Sequence, residues 1–403
     1  MRKTLPSLEA KNGFLLITIT TVLASFAMSG QQAVVTNFFE NQLQLQGPQF
    51  GYITAIREIP GFLIIFLTAL FYRLSLPKLT TLALATLAVG YALFSIATDF
   101  ATVTPWVILS SMGYHTWLQT QHALAMSVTT ENKSGAILGH VTALGNLGGL
   151  VAMVIMAAGF YYKLLDFTGA FWLVAAAALG AGIVIFSFPS LRNGMPHVAT
   201  TKREPIVFHK DYRFYYMLNL LDGGRQQIFF SFGLWVLAHK FELDVTRLTM
   251  ILIGVNLINT LIGRRVGKLI DRYGESPMLA AANILYVVAL TGYAFSDNLW
   301  VLVACYTVYS VIFPISWVGA NTYLRKIASH HDVAPSIAMG LTMQHVAAVI
   351  VPLATGYILN FYGYQIPFMI AVVFAVITMI STRFIDPVTQ KSQSRLAEEA
   401  AAQ

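Results

Sequence analysis

The chain has 403 residues, of which 56% are apolar and only 11% charged, with a mean hydropathy of +0.65. That balance excludes a soluble globular protein, whose charged fraction is near 25%. The net charge of +7 and the isoelectric point near 9.3 do not require a nucleic-acid partner, because the basic residues follow a membrane pattern, described below. Cys305 is the only cysteine, so neither a disulfide nor a thiolate metal cluster is available, and no cofactor is expected.

A helix needs about 20 apolar residues to cross the hydrocarbon core. Twelve stretches meet that need, and in chain order they are 14–38, 50–72, 79–97, 101–128, 135–162, 167–188, 214–238, 248–266, 278–295, 299–324, 334–361 and 364–384. They are continuously apolar, whereas barrel strands would be about ten residues long and alternate in polarity. The first follows Arg2 and Lys3 but is too long for a signal peptide's apolar core, and it is read as an uncleaved span. The fold class is therefore an all-α membrane protein of twelve transmembrane helices.

With an even number of spans, both termini and alternate loops share one side. All Lys and Arg other than Arg57, Lys163, Arg225, Lys240 and Arg247 fall there, and the positive-inside rule makes that side cytoplasmic. The sequon Asn132-Lys133-Ser134 then lies in a cytoplasmic loop where it cannot be used. Short outer loops fit a multi-pass protein of the cytoplasmic (inner) membrane.

Hydrophobicity collapses between Pro189 and Phe214, which divides the chain into a six-helix bundle over 1–189, a cytoplasmic linker over 190–213, a second six-helix bundle over 214–386 and a tail over 387–403. Sliding the second half back by about 195 positions sets Gln226-Gln227 on Gln31-Gln32, Lys268-Leu269 on Arg73-Leu74 and Tyr309 on Tyr114; a slightly larger offset pairs Gly340 with Gly139. Two pseudo-symmetric halves are the simplest account.

Between the eighth and ninth spans, residues 263–274 read G-R-R-V-G-K-L-I-D-R-Y-G. The core of this run, Gly267, Leu269, Asp271, Arg272 and Gly274, resembles the loop between the second and third helices of each half of a major facilitator superfamily transporter. The stretch 352–368 also resembles that family's eleventh helix and turn. The resemblance covers 13–386 and implies a secondary transporter that works by alternating access, with the loop as a cytoplasmic latch: Gly267 and Gly274 let helices approach, Asp271 faces a helix N-terminus or an arginine, and Arg272 faces the cytosol. Two departures stand out. The first-half counterpart, 70–78, keeps only Arg73 and Lys78, and the fifth span carries Gly145, Gly148 and Gly149 without the proline and spacing of the family's antiporter motif, which lowers the case for drug export.

Ionisable groups inside spans are costly and point to function. The seventh span sets Asn219, Asp222, Arg225 and Gln226 on one face, which would line a wet cavity; the same spacing also fits a self-neutralising Asp222–Arg225 pair. The fourth sets His115, Gln119 and His122 on one face, two helical turns long, so the histidines are too far apart to share a metal ion without a third helix, and no metal is expected. His140 and His345 read as interior histidines. Arg57 and Glu58 point about 100° apart in the second span and are expected to pair with other helices. In the resembling family the first, fourth, seventh and tenth helices line the central path, which adds Gln31, Gln32, Tyr114, Tyr306, Tyr309 and Asn321; Trp317 joins them through the repeat offset from His122.

Guanidinium groups at Arg57 and Arg225 favour a small carboxylate-bearing or anionic solute. Without a phosphate-binding loop the energy would come from an ion gradient, with protons as the coupling ion and Asp222 or Glu58 as carrier. The expected partners are therefore a small-molecule substrate, H+ and the lipid bilayer, for a monomer that binds no nucleic acid. The alternatives are a proton-driven exporter of apolar compounds, an intramembrane histidine-based enzyme and a transporter-like receptor.

Overall fold

The structure is a computed structural model that describes residues 8–70, 74–128, 134–189 and 208–401. Arg73, the sequon residues Asn132 and Lys133, and most of the 190–213 linker lie outside the described residues.

Every long element is helical. The helices are α1 (Leu8–Asn37, ending in a π-helical turn over Phe38–Gln42), α2 (Gly47–Leu70), α3 (Leu76–Phe94), α4 (Phe100–Ser127), α5 (Ser134–Tyr161) and α6 (Phe167–Phe186). There follow α7 (Arg213–Gln227, a π-helical turn over Ile228–Phe232, then Gly233–Phe241), α8 (Val245–Tyr273), α9 (Glu275–Phe295), α10 (Leu299–Ile327), α11 (His330–Tyr362), α12 (Gln365–Ser381) and a short tail helix α13 (Gln393–Ala401). Nine are long and apolar enough to cross a membrane among the described residues. Of the twelve long helices, α2, α4 and α7 are not among the nine; α4 carries His115, Gln119 and His122, and α7 carries Asn219, Asp222, Arg225 and two glutamines.

Helix ends follow local chemistry. Asp99 accepts from the Thr102 amide at 2.8 Å and closes a capping box on α4; Asp166 caps α6 through the Gly169 amide at 2.7 Å. These caps satisfy N–H groups that have no partner within the helix.

The chain forms two compact units. Over their described residues, the first comprises Met1–Leu45, Ile56–Arg203 and Leu243–Ile253, and the second Gln46–Ala55, Glu204–Glu242 and Gly254–Gln403. Besides the division near the linker, the first residues of α2 are thus built into the second unit and the first turns of α8 into the first.

In the first unit, α5 packs on α1 through the glycines of the G-N-L-G-G run. A Cβ at Gly148 would sit 2.5 Å from the Val22 carbonyl oxygen, and one at Gly149 2.5 Å from Ser29 Oγ. Departing from the antiporter pattern, these glycines serve close helix contact. Thr249 Oγ1 donates to the Ala33 carbonyl at 3.3 Å and Asn37 Nδ2 to the Leu243 carbonyl at 2.7 Å, which ties the start of α8 into this unit. Phe38, Phe94 and Phe171 form its aromatic core, with Phe38 edge-on to Phe171 at 4.7 Å.

The second unit has a tyrosine-rich core of Tyr212, Tyr215, Tyr216 and Tyr323 with Leu218, Leu279 and Leu324. Gly223 lets α7 meet α11, since a Cβ there would fall 2.9 Å from Gln344 Cα; Gly51 lets α2 meet α11 in the same way, 2.5 Å from the Pro352 carbonyl oxygen.

The latch region departs from the close-approach expectation. Among the described residues a Cβ at Gly267 would meet nothing within 4 Å, whereas Gly274 is needed for its φ of +85° at the corner between α8 and α9. Asp271 and Arg272 are exposed. The acidic residue at the N-terminus of the following helix is Glu275, 3% exposed and ion-paired with Lys326 of α10 at 2.6 Å, a position that also favours negative charge through the helix dipole.

Candidate functional site

Two polar clusters stand inside the units, one in each. In the second unit, Arg225 is 1% exposed. Its guanidinium donates to Asp222, to Asn283 Oδ1 at 2.7 Å and to Ser316 Oγ at 3.4 Å, and its carbon lies 3.6 Å from the centre of the Tyr286 ring. Tyr286 in turn shares a hydrogen bond with Ser316 at 3.1 Å, and Tyr309 stands 5.8 Å from the guanidinium. A buried charge needs this degree of compensation. Asn219 bonds back to the Tyr215 carbonyl at 2.8 Å, so of the seventh-span face only Gln226 is half-buried rather than buried. Tyr306 and Tyr309 are buried, Asn321 accepts from the Tyr215 hydroxyl at 3.1 Å, and Trp317 is exposed.

In the first unit, Glu58 on α2 is 9% exposed and His115 on α4 is 7% exposed. The His115 Nε2 and Glu58 Oε2 atoms lie 3.9 Å apart, and His115 Nδ1 lies 3.1 Å from Ser111 Oγ, whose hydroxyl donates to the Arg57 carbonyl. Tyr114 meets the His115 ring edge-on at 5.0 Å.

Arg57 and Glu58 do pair with each other, Nη2 to Oε1 at 3.3 Å, contrary to the expectation from their 100° separation. The angle describes where Cβ points; two long side chains can still curl together at their ends. The Arg57 side chain remains 49% exposed.

His115 and His122 share a helix face but not a site. His115 turns to Glu58, while His122 lines a separate cavity between α1, α4 and α5. Gln119 and Gln32 are exposed and Gln31 is half-buried. Asn283, Tyr286 and Ser316 were missed by sequence reasoning, although a lone asparagine within the apolar run of the ninth span was a usable signal.

The sequence profile of the Major Facilitator Superfamily matches residues 215–402. A Bacillus subtilis (strain 168) protein named as a metabolite transport protein, YwtG, is 27% identical over 142 residues, which are 33% of this chain. The match spans about a third, 31%, of that relative's length. Among solved structures, a mutant of the nucleoside transporter NupG superposes with a TM-score of 0.77 at 15% identity, covering 93% of this chain and 99% of that one. A bacterial homolog of the human lysosomal transporter Spinster, in an inward-facing and occupied conformation, gives 0.75 at 11% identity, covering 97% and 99%. At such identities the likeness speaks for the fold.

Proposed function

We propose that this chain, which belongs to the Major Facilitator Superfamily, is a secondary active transporter that moves a small polar solute across the cytoplasmic membrane by alternating access, coupled to protons. The family is one of transporters rather than enzymes. The Lys and Arg distribution supports both termini being cytoplasmic.

The observation that carries the coupling is the Glu58–His115–Ser111 chain. A carboxylate and an imidazole 3.9 Å apart, both nearly enclosed within a helical bundle, form an ion pair when the imidazole is protonated, and a small closing of the gap would bring them within hydrogen-bond reach for passing a proton. Asp222 suits the carrier role less well, since its partner Arg225 holds it in a fully enclosed network. The same enclosure removes Arg225 from the argument for an anionic solute and leaves that argument to Arg57. The resemblance to a structure described as a nucleoside transporter fits an uncharged polar solute equally well.

The test is solute flux into proteoliposomes, with a panel of labelled carboxylates, polyols and nucleosides, with and without a pH gradient. Accumulation of a polar solute that collapses with the gradient is expected. Uptake indifferent to the gradient for every solute would remove the proton, and no uptake of any would remove the transporter.

A further inference from the structure

Ser111 stands one helical turn before His115 on α4 and is 3% exposed. Its hydroxyl donates to the Arg57 carbonyl of α2, and a carbonyl oxygen only accepts, so the hydrogen on Oγ is committed to α2. What Oγ presents to the imidazole is therefore a lone pair. His115 Nδ1 lies 3.1 Å from that oxygen and 3.2 Å from the Ser111 carbonyl oxygen, which again can only accept. Both contacts make the same demand: a nitrogen set against two acceptors must carry a proton.

A neutral imidazole has one N–H, so a proton held at Nδ1 leaves Nε2 bare. Nε2 is the atom that faces Glu58, 3.9 Å from Oε2, while Arg57 takes the other carboxylate oxygen, Oε1, at 3.3 Å. The opposite tautomer would set the Nδ1 lone pair against oxygen lone pairs, a mismatch that enclosure makes costly.

We infer that Ser111 is a positioning residue for proton coupling: it holds His115 as the Nδ1–H tautomer, so that the imidazole accepts a proton only at Nε2, on the side of Glu58. When the gap closes over a protonated Glu58, the O–H bond at Oε2 breaks and an N–H bond forms at Nε2. The uncharged pair becomes a carboxylate and an imidazolium, and the Nδ1 proton stays where it was. The same hydroxyl ties the tautomer to the position of α2. If the Arg57 carbonyl withdraws, the Ser111 hydrogen is released and can turn to the carbonyl one turn back or to Nδ1, where it favours the other tautomer. The inference rests on the proton-coupling reading for the use of this tautomer, but the tautomer itself can be observed without flux.

The experiment is nitrogen NMR of the full chain in lipid bilayers, isotopically labelled at its nine histidines. The His115 signals are assigned by their loss in His115→Gln and recorded at a pH alkaline enough to make the ring neutral. Protonated and bare ring nitrogens resonate far apart, so the tautomer is read directly. The wild type should show Nδ1 protonated and Nε2 bare. Ser111→Ala keeps the backbone carbonyl but removes the hydroxyl, and should raise the ratio of the Nε2–H form roughly two- to tenfold, as expected for one lost hydrogen bond. Ser111→Thr keeps a hydroxyl and should restore the wild-type spectrum. A neutral wild-type ring protonated at Nε2 overturns the assignment without recourse to any variant. A tautomer ratio unmoved in Ser111→Ala, or moved equally in Ser111→Thr, overturns the role of the hydroxyl. The expected spectra in a chain that accumulates no solute under a pH gradient sink the coupling reading alone; gradient-driven accumulation with the ring in the other tautomer sinks this inference alone.

Discussion

The guanidinium of Arg225 lies on the face of the Tyr286 ring, 3.6 Å from its centre, in a position that shields it while Asp222, Asn283 and Ser316 accept its hydrogen bonds. Cation–π contact of a desolvated arginine contributes on the order of 2 kcal/mol, and together with the ion pair it makes this residue a structural element of the second unit.

Arg225→Ala should therefore destabilise the protein by about 3–5 kcal/mol, because Asp222 is left buried without its counter-charge. The double substitution Asp222→Leu with Arg225→Met should recover most of that loss. Thermal melts in detergent decide the matter. A single variant that melts normally but no longer binds solute would return Arg225 to the binding site.

Glu58→Gln mimics a permanently protonated acid. Counterflow exchange of solute should persist in proteoliposomes while accumulation driven by a pH gradient is lost. Undiminished accumulation would show that the proton travels by another group.

Two glycines should respond in opposite directions to alanine. At Gly113 the new Cβ would fall 2.5 Å from the Ala83 carbonyl oxygen and 2.6 Å from the Leu87 amide, both backbone atoms that cannot swing away. Overpacking of this kind costs about 1–3 kcal/mol. Gly267, within α8 and open on all described sides, should gain about 0.5–1 kcal/mol from the higher helix propensity of alanine. Equilibrium unfolding of the two variants checks the sign; a loss at Gly267 comparable to that at Gly113 would restore a close-approach role there.

Lys326→Met would leave the Glu275 carboxylate enclosed without its cation, which should cost about 1–3 kcal/mol. Lys326 is 49% exposed, which places the value toward the lower end. Adding Glu275→Gln should return the melting temperature toward wild type, and failure of that rescue would mean the pair does not act as a unit.

The tail helix α13 should loosen in acid. Hydrogen bonds from Lys391, chiefly, hold the Glu399 carboxyl below its ordinary value of 4.5. A depressed folded-state value means this contact is fully present above the ordinary carboxylate range and lost as pH falls through the depressed one. Hydrogen exchange of residues 393–401 across that range should show protection fading on the acid side, and uniform protection would count against it.

The twelve rods could be read from the sequence because lipid permits few alternatives: a span must be long, apolar and internally hydrogen-bonded. The polar residues within spans were equally visible, since each is an exception to that rule. What could not be read was which neighbour each one meets. Arg225 and His122 look alike in the sequence, each one polar residue among several on a helix face. Their surroundings depend on Asn283 and Ser316 in one case and Thr21 and Asn146 in the other, residues far away along the chain. Arg57 and Glu58 fail for a related reason, because a helical wheel fixes the root of a side chain and leaves its tip free.

The π-helical turn over Ile228–Phe232 has a consequence for labelling work on α7. Such a turn inserts about one extra residue, so a helical wheel drawn from Asp222 is out of phase by roughly 100° when it reaches Trp235. A cysteine scan along this rod should show its accessibility pattern skip a beat near residue 230, and water-facing positions assigned by a constant 3.6-residue period would be misplaced by one from there onward.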